Sequence, residues 1–310
     1  MEKNFINKIY CLTLEKNYER WNILKNKLDN NNVKYHKIFG IDGLKMKMSD
    51  IKKECSDLTK HFFITHNMYG KKKSHYLLWK KILETNSNDN EFFIILEDDC
   101  ILPDNFKNYL DKLNNFIKKI PKHLIEETDL FNLSPTGDYT LNNTLNNNII
   151  SYLTKIISLI TSKKKYDNSI LYEFEEIKLL NSNFPLSTHA YIVNLKQINK
   201  LVENIEENKI TYHLDIFLNT ENFNINSIIP IEIKRGGIED SVSFSTTNPV
   251  FATKFLTLFN KELAYDLSKP LVNIFGLYPL SILILFYLIL IIIWQFIDIP
   301  GRLDNFFSSI

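Results

Sequence analysis

Phe92-Phe93-Ile94-Ile95-Leu96-Glu97-Asp98-Asp99 passes from five consecutive apolar residues straight into three acids. Successive strand residues face opposite sides of a sheet, so an unbroken apolar run is the pattern of a strand buried on both faces. Such a sheet needs helices on both sides, and the neighbouring segments supply them. Phe5–Leu14 alternates and is rich in Ile, Tyr and Leu, which predicts a strand. Asn17–Asn30, with Trp21, Leu24 and Leu28 at helical spacing, predicts a helix. Val33–Phe39 reads as a second strand running into the turn signal Gly40-Ile41-Asp42-Gly43. Ser49–Lys60, Lys73–Thr85 and Asn105–Ile120 read as helices, the last closed by Pro121. Asp129–Leu133, Thr188–Val193 and Asn226–Ile233 read as further strands. Strands alternating with helices at short intervals predict an α/β layer fold with a mostly parallel central sheet. Residues 135–180 break this pattern and read as a loop-rich insertion with a helical piece at Ile149–Ser162.

The 310 residues carry 37 Lys+Arg against 36 Asp+Glu, a formal charge of +1, which removes the basic footprint of a dedicated nucleic-acid binder. The length fits one or two domains. Cys11, Cys55 and Cys100 fall in no metal-ligand spacing, and free thiols in a reducing compartment are expected. The 45% hydrophobic content is unevenly spread. No charge occurs between Lys269 and Asp298, and only Asn273, Gly276, Pro279, Ser281 and Gln295 interrupt the apolar residues from Leu271 to Ile297. A bilayer core needs about 20 helical residues, so 271–297 predicts one transmembrane helix, with 241–270 a linker and 298–310 a short tail. Met1–Asp50 has no apolar secretory segment. Lys254, Lys261 and Lys269 precede the span while Arg302 alone follows it, which predicts a single-pass anchor with the large N-terminal part cytoplasmic.

Ligands of parallel sheets bind beyond the carboxyl ends of the strands, where Glu97, Asp98 and Asp99 stand. Adjacent carboxylates repel, and a hard divalent cation relieves the repulsion and can hold a diphosphate. The same acids equally suit an acidic loop or a cap for the next helix, so on position alone both readings stand.

Tyr69-Gly70-Lys71-Lys72-Lys73-Ser74-His75-Tyr76-Leu77-Leu78-Trp79, followed by Ile94-Ile95-Leu96-Glu97-Asp98-Asp99, resembles glycosyltransferase family 25, which contains lipopolysaccharide-biosynthesis enzymes and collagen galactosyltransferases. Ile9-Tyr10-Cys11-Leu12 with Arg20, Ile41-Asp42-Gly43, Ala190-Tyr191-Ile192-Val193 and Leu214-Asp215 are similar to further family segments in the same order, so the resemblance spans about 5–240. It departs at Lys71, where the family commonly has Cys, and at His189, where the residue is usually small.

The resemblance implies a GT-A fold, a Rossmann-like nucleotide-sugar-binding domain over 1–240. It implies transfer of a hexose from a UDP-sugar to a glycan, lipopolysaccharide-like or protein hydroxyl, with inversion. Glu97 and Asp99 would hold Mn²⁺ or Mg²⁺; Arg20, Asp42, Ser74, His75 and Asp98 would contact the nucleotide; Asp215 would be the general base. Arg20, Ser74, His75 and Asp215 have structural alternatives as well, as helix-face, helix-start, spacer and capping residues. Lys71–Lys73 reads as a solvated face, and His189 and His213 as candidates for a late metal ligand. A catalytically inactive, membrane-tethered sugar-binding or scaffolding protein is the alternative function. A phosphoesterase lacks a second carboxylate cluster to complete a two-metal site.

Overall fold

The computed structural model describes residues 5–56, 66–88, 91–138, 169–210, 214–220 and 223–236. In chain order the elements are β1 (Ile6–Thr13), α1 (Tyr18–Asn30), β2 (His36–Phe39), α2 (Met48–Lys53), α3 (His66–Thr85), β3 (Phe92–Glu97), β4 (Cys100–Ile101), α4 (Phe106–Lys119) and α5 (Lys122–Glu127). They continue as β5 (Leu130–Asn132), β6 (Thr136–Asp138), β7 (Ile170–Phe174), β8 (Ile177–Asn181), β9 (Asn183–Leu186), β10 (Ala190–Asn194), α6 (Leu195–Asn208), α7 (Leu214–Thr220), β11 (Ile225–Ile229) and β12 (Lys234–Arg235). The main sheet has the order β2-β1-β3-β10-β5-β11-β8-β7.

Phe93, Ile94, Ile95 and Leu96 are fully buried, as the apolar run of β3 requires. Their alternation divides the core. Phe92, Ile94 and Leu96 pack with Trp21, Leu24 and Leu28 of α1 and Phe106, Leu113 and Phe116 of α4. Phe93 and Ile95 face the other way, toward Leu78, Trp79 and Ile82 of α3 and Ile198, Leu201 and Ile205 of α6. The result is an α/β/α sandwich. Each fully buried aliphatic or aromatic side chain contributes about 1.5–3 kcal/mol of burial, so this strand anchors both layers.

The sheet is mixed. It is parallel across β2-β1-β3 and between β5 and β11, whereas β10 lies between β3 and β5 antiparallel to both. β8 pairs antiparallel with β11, and β7 antiparallel with β8 at the far edge. The stretch 135–180, expected to be loop-rich, therefore contributes an edge hairpin. None of the residues of β7 is fully buried, but Leu171, Tyr172 and Phe174 pack partly buried against the core. The helical piece at Ile149–Ser162, the linker 241–270, the span 271–297 and the tail 298–310 lie outside the described residues. Among the described residues no helix is long and apolar enough to cross a membrane.

Helix α3 begins at His66, well before the expected Lys73, and carries Gly70 in its interior. An interior helical glycine costs about 1 kcal/mol relative to alanine. Close packing explains its presence: a Cβ on Gly70 would lie 2.8 Å from both the Gly43 nitrogen and the Ile41 oxygen. Reciprocally, a Cβ on Gly43 would sit 1.8 Å from the His66 carbonyl oxygen. The turn after β2 is thus seated directly on the α3 backbone. Gly43→Ala is expected to cost about 2–3 kcal/mol by overpacking. A thermal melt of the full chain should show Tm lowered by about 5 °C or more; an unchanged Tm would mean that this contact is not tight.

Candidate functional site

Glu97 closes β3, and its carboxylate gathers donors from two other elements. Oε1 accepts from Lys71 Nζ at 3.0 Å and His75 Nε2 at 3.2 Å, both on α3, and from Thr188 Oγ1 at 2.9 Å, just before β10. Thr188 reaches this end because β10 is antiparallel to β3: the residues entering β10 lie beside those leaving β3. The Glu97 N–H donates to the His189 carbonyl at 2.7 Å, fixing that junction. Burial opposes ionisation of Glu97, but Lys71, His189 and His75 hold its carboxyl well below the ordinary range.

Behind His75 runs a hydrogen-bonded chain. Trp79 Nε1–H, a donor only, reaches Tyr191 Oη at 3.0 Å, and Tyr191 Oη is 2.7 Å from His75 Nδ1. Burial pushes the Tyr191 phenol well above its ordinary range, so its proton is retained. Burial also holds His75 below the usual imidazole range and thus neutral, against the opposing pull of Glu97. The assignment that uses each proton once is Trp79 to Tyr191, Tyr191 to His75 Nδ1, and His75 Nε2–H to Glu97.

Asp99 projects to the same side as Glu97. Its Oδ1 is 2.6 Å from His189 Nδ1, and one ligand atom from each of Glu97, Asp99 and His189 falls within 4.8 Å of the others. Burial works to raise the Asp99 carboxyl, and His189 and Lys71 overcome it and hold the group low. Two carboxylates and an imidazole in this arrangement could hold a divalent cation. The backbone is fixed as well. β12 pairs antiparallel with β4, and the Gly236 N–H donates to the Asp99 carbonyl at 2.6 Å.

Asp98 turns the opposite way. It accepts from Thr13 Oγ1 at 2.6 Å and Asn17 Nδ2 at 2.9 Å, with Arg20 Nη1 at 3.7 Å. Burial raises its carboxyl, only partly countered by Thr13 and Asn17. Asp98 and Arg20 thus stand together, tying the β1–α1 junction to the acidic turn. Ser74 Oγ accepts from the Ile41 N–H at 2.7 Å and donates to the Gly70 carbonyl at 2.6 Å, which fastens the glycine turn to α3. Asp42 caps the 3-10 turn Gly43–Lys45 and pairs with Lys16 at 2.8 Å. It lines a cleft of about 320 Å³ with Glu15, Phe39, Gly40 and Lys45 at the carboxyl ends of β1 and β2.

Asp215, in the first turn of α7, is 2% exposed and accepts from Thr188 Oγ1 at 3.1 Å. Thr188 has one hydroxyl proton and faces two carboxylates, so Glu97 and Asp215 are linked through it. Glu97, Asp99, His75 and Asp215 are therefore brought together, whereas Asp42 lies in the neighbouring turn and Ser74 fastens that turn to α3. Residues 71–73 are not the expected solvated face. Lys71 pairs with Glu97, Lys72 is buried with Nζ 3.4 Å from the Phe217 ring centre, and Lys73 pairs with Glu54. Thr188 and Tyr191 carry no sequence signal for these roles, since each depends on strand direction. His213 lies outside the described residues. Tyr191→Phe would leave the Trp79 N–H and His75 Nδ1 without their shared partner. A loss of about 1–3 kcal/mol is expected in chemical unfolding; wild-type stability would rule out the chain of bonds drawn above.

A family model, Glycosyltransferase family 25 (LPS biosynthesis protein), matches residues 6–218, a stretch from β1 to α7 that includes the acidic turn, His75, Thr188 and Asp215. No curated protein matches the chain. Because that match covers well over half of the sequence, with the acidic cluster inside it, the chain belongs to glycosyltransferase family 25 and is a glycosyltransferase.

Proposed function

We propose that the chain is a metal-dependent hexosyltransferase of GT-A type that uses a UDP-sugar and inverts the anomeric centre. Residues 1–240 form its catalytic domain in this reading. The observation that carries it is the convergence of Glu97, Asp99 and His189 at the carboxyl end of β3, beside the cleft at the ends of β1 and β2. That is where a parallel α/β sheet receives a nucleotide. The acceptor is a glycan, lipopolysaccharide-like or protein hydroxyl.

A divalent cation held by Glu97, Asp99 and His189 would supply positive charge to the departing diphosphate. The chain's own residues do the rest. Lys16 and Asp42 line the nucleotide cleft, and Ser74 holds its floor against α3. Asp98 and Arg20 keep the acidic turn in register with β1. Asp215 takes the proton of the acceptor hydroxyl; the acceptor oxygen then bonds to the anomeric carbon as the bond to the diphosphate breaks and its electron pair leaves with UDP. The Thr188 hydroxyl orients Asp215 relative to Glu97. Residues 271–297 tether the enzyme to a membrane with the catalytic domain on the cytoplasmic side, an assignment tested by whether the full chain resists alkaline extraction from membranes.

A panel of UDP-sugars assayed with and without Mn²⁺ tests this reading. One donor should turn over only with the metal, and Asp99→Ala should abolish turnover in a protein that melts as the wild type does. A folded chain that binds no UDP with Mn²⁺ present would instead favour an inactive tethered protein. Asp215→Asn should lower kcat about 10²–10⁴-fold, the range of general-base catalysis, with UDP affinity retained. An unchanged kcat would move the base elsewhere.

A further inference from the structure

Lys71 occupies a position that the proposed chemistry leaves without a task. Its ammonium is 3.0 Å from Glu97 Oε1, and its side chain is only 19% exposed. The two oxygens of Glu97 are divided. Oε1 meets Lys71, His75 and Thr188, while Oε2 lies 3.7 Å from His189 Nδ1, on the side of Asp99. A cation bound among Glu97, Asp99 and His189 would draw on the same carboxylate charge as Lys71, with the two positive centres flanking one small group. Over a separation shorter than the Debye length of about 8 Å, and in a partly buried setting, salt screens their repulsion poorly. The Lys71 charge already acts on Asp99 as well as Glu97.

Resting on the reading that these residues hold a divalent cation, we infer that Lys71 is the second cation of the site. It neutralises Glu97 while no metal is present, competes with the metal for that carboxylate, and passes to the donor diphosphate once the metal has entered. Three features make this exchange feasible. The lysine is a compact charge on a flexible four-carbon stem, able to change partners without moving α3. Its helix is held in place independently, by Gly70 against the turn and by Ser74. His75 stays on Glu97 when the ammonium leaves, and the Thr188 hydroxyl, shared with Asp215, remains beside it.

The full chain in detergent micelles provides the test, with Mn²⁺ and UDP as probes. Lys71→Gln removes the charge and keeps a donor for Glu97; Lys71→Arg keeps the charge. Mn²⁺ affinity, followed by electron paramagnetic resonance without nucleotide, should rise about tenfold or more in Lys71→Gln and stay near wild type in Lys71→Arg. At saturating Mn²⁺, calorimetry should show UDP binding weakened at least tenfold in Lys71→Gln. Equal Mn²⁺ affinity in wild type and Lys71→Gln would overturn the competition, and equal UDP affinity would overturn the transfer to diphosphate. Mn²⁺ binding to Lys71→Gln alone would uphold the competition while refuting metal dependence of the wild-type enzyme. Absence of Mn²⁺ binding in every form would sink both readings together.

Discussion

Glu97 sets an ionised carboxylate directly after four wholly buried side chains, and one of its oxygens receives Lys71, His75 and Thr188. A charge at such a depth is tolerated only when donors surround it. Those donors come from the helix layer on one face of the sheet and from the strand beside β3. Satisfying one carboxylate therefore joins α3, β3 and the start of β10 at a single point. The Trp79–Tyr191–His75 chain carries the same constraint outward, because a Tyr191 hydroxyl donating to Nδ1 favours the tautomer whose Nε2–H faces Glu97.

The two faces of the acidic turn divide the work along the strand period. Asp98 is occupied by Thr13, Asn17 and Arg20, and serves the β1 junction. Glu97 and Asp99 face His189 and Thr188 instead. The burial that raises Asp98 acts also on its neighbours, and there Lys71 and the histidines beside them prevail. One short sequence thus places an acid turned toward β1 between two acids turned toward His189.

Much of this was legible in the sequence. The apolar run of β3, the period of α1 and the Gly40-Ile41-Asp42-Gly43 turn follow local rules and appear where expected. Glu97, Asp99, His75 and Asp215 were visible as chemistry-bearing residues in a family-like order. Strand direction was not visible. An antiparallel β10 has the same alternation as a parallel one, so the arrival of Thr188 and His189 at the acidic turn could not be read from spacing. The edge hairpin β7–β8 carries strand-forming residues, Ile170-Leu171-Tyr172 and Leu179-Leu180 among them, so its presence goes against the loop-rich reading of 135–180. Lys71–Lys73 misled for the converse reason. Lysine is ordinarily a surface residue, and only the crowding around α3 shows that the Lys71 and Lys72 ammonium groups point inward.

The pairing of β12 with β4 has a practical consequence for defining the folded unit. The family match stops at residue 218, yet β11 beyond it is an interior strand of the main sheet, bonded to both β5 and β8. Further on, Gly236 lies so close to the acidic turn that a Cβ there would be 2.8 Å from the Asp99 carbonyl oxygen. A shortened form cut at the family boundary would lose an inner strand and the backbone bond that steadies Asp99. The smallest piece that keeps the acidic turn in its frame runs from β1 through Gly236, and the polypeptide leaves that piece beside the acidic turn itself.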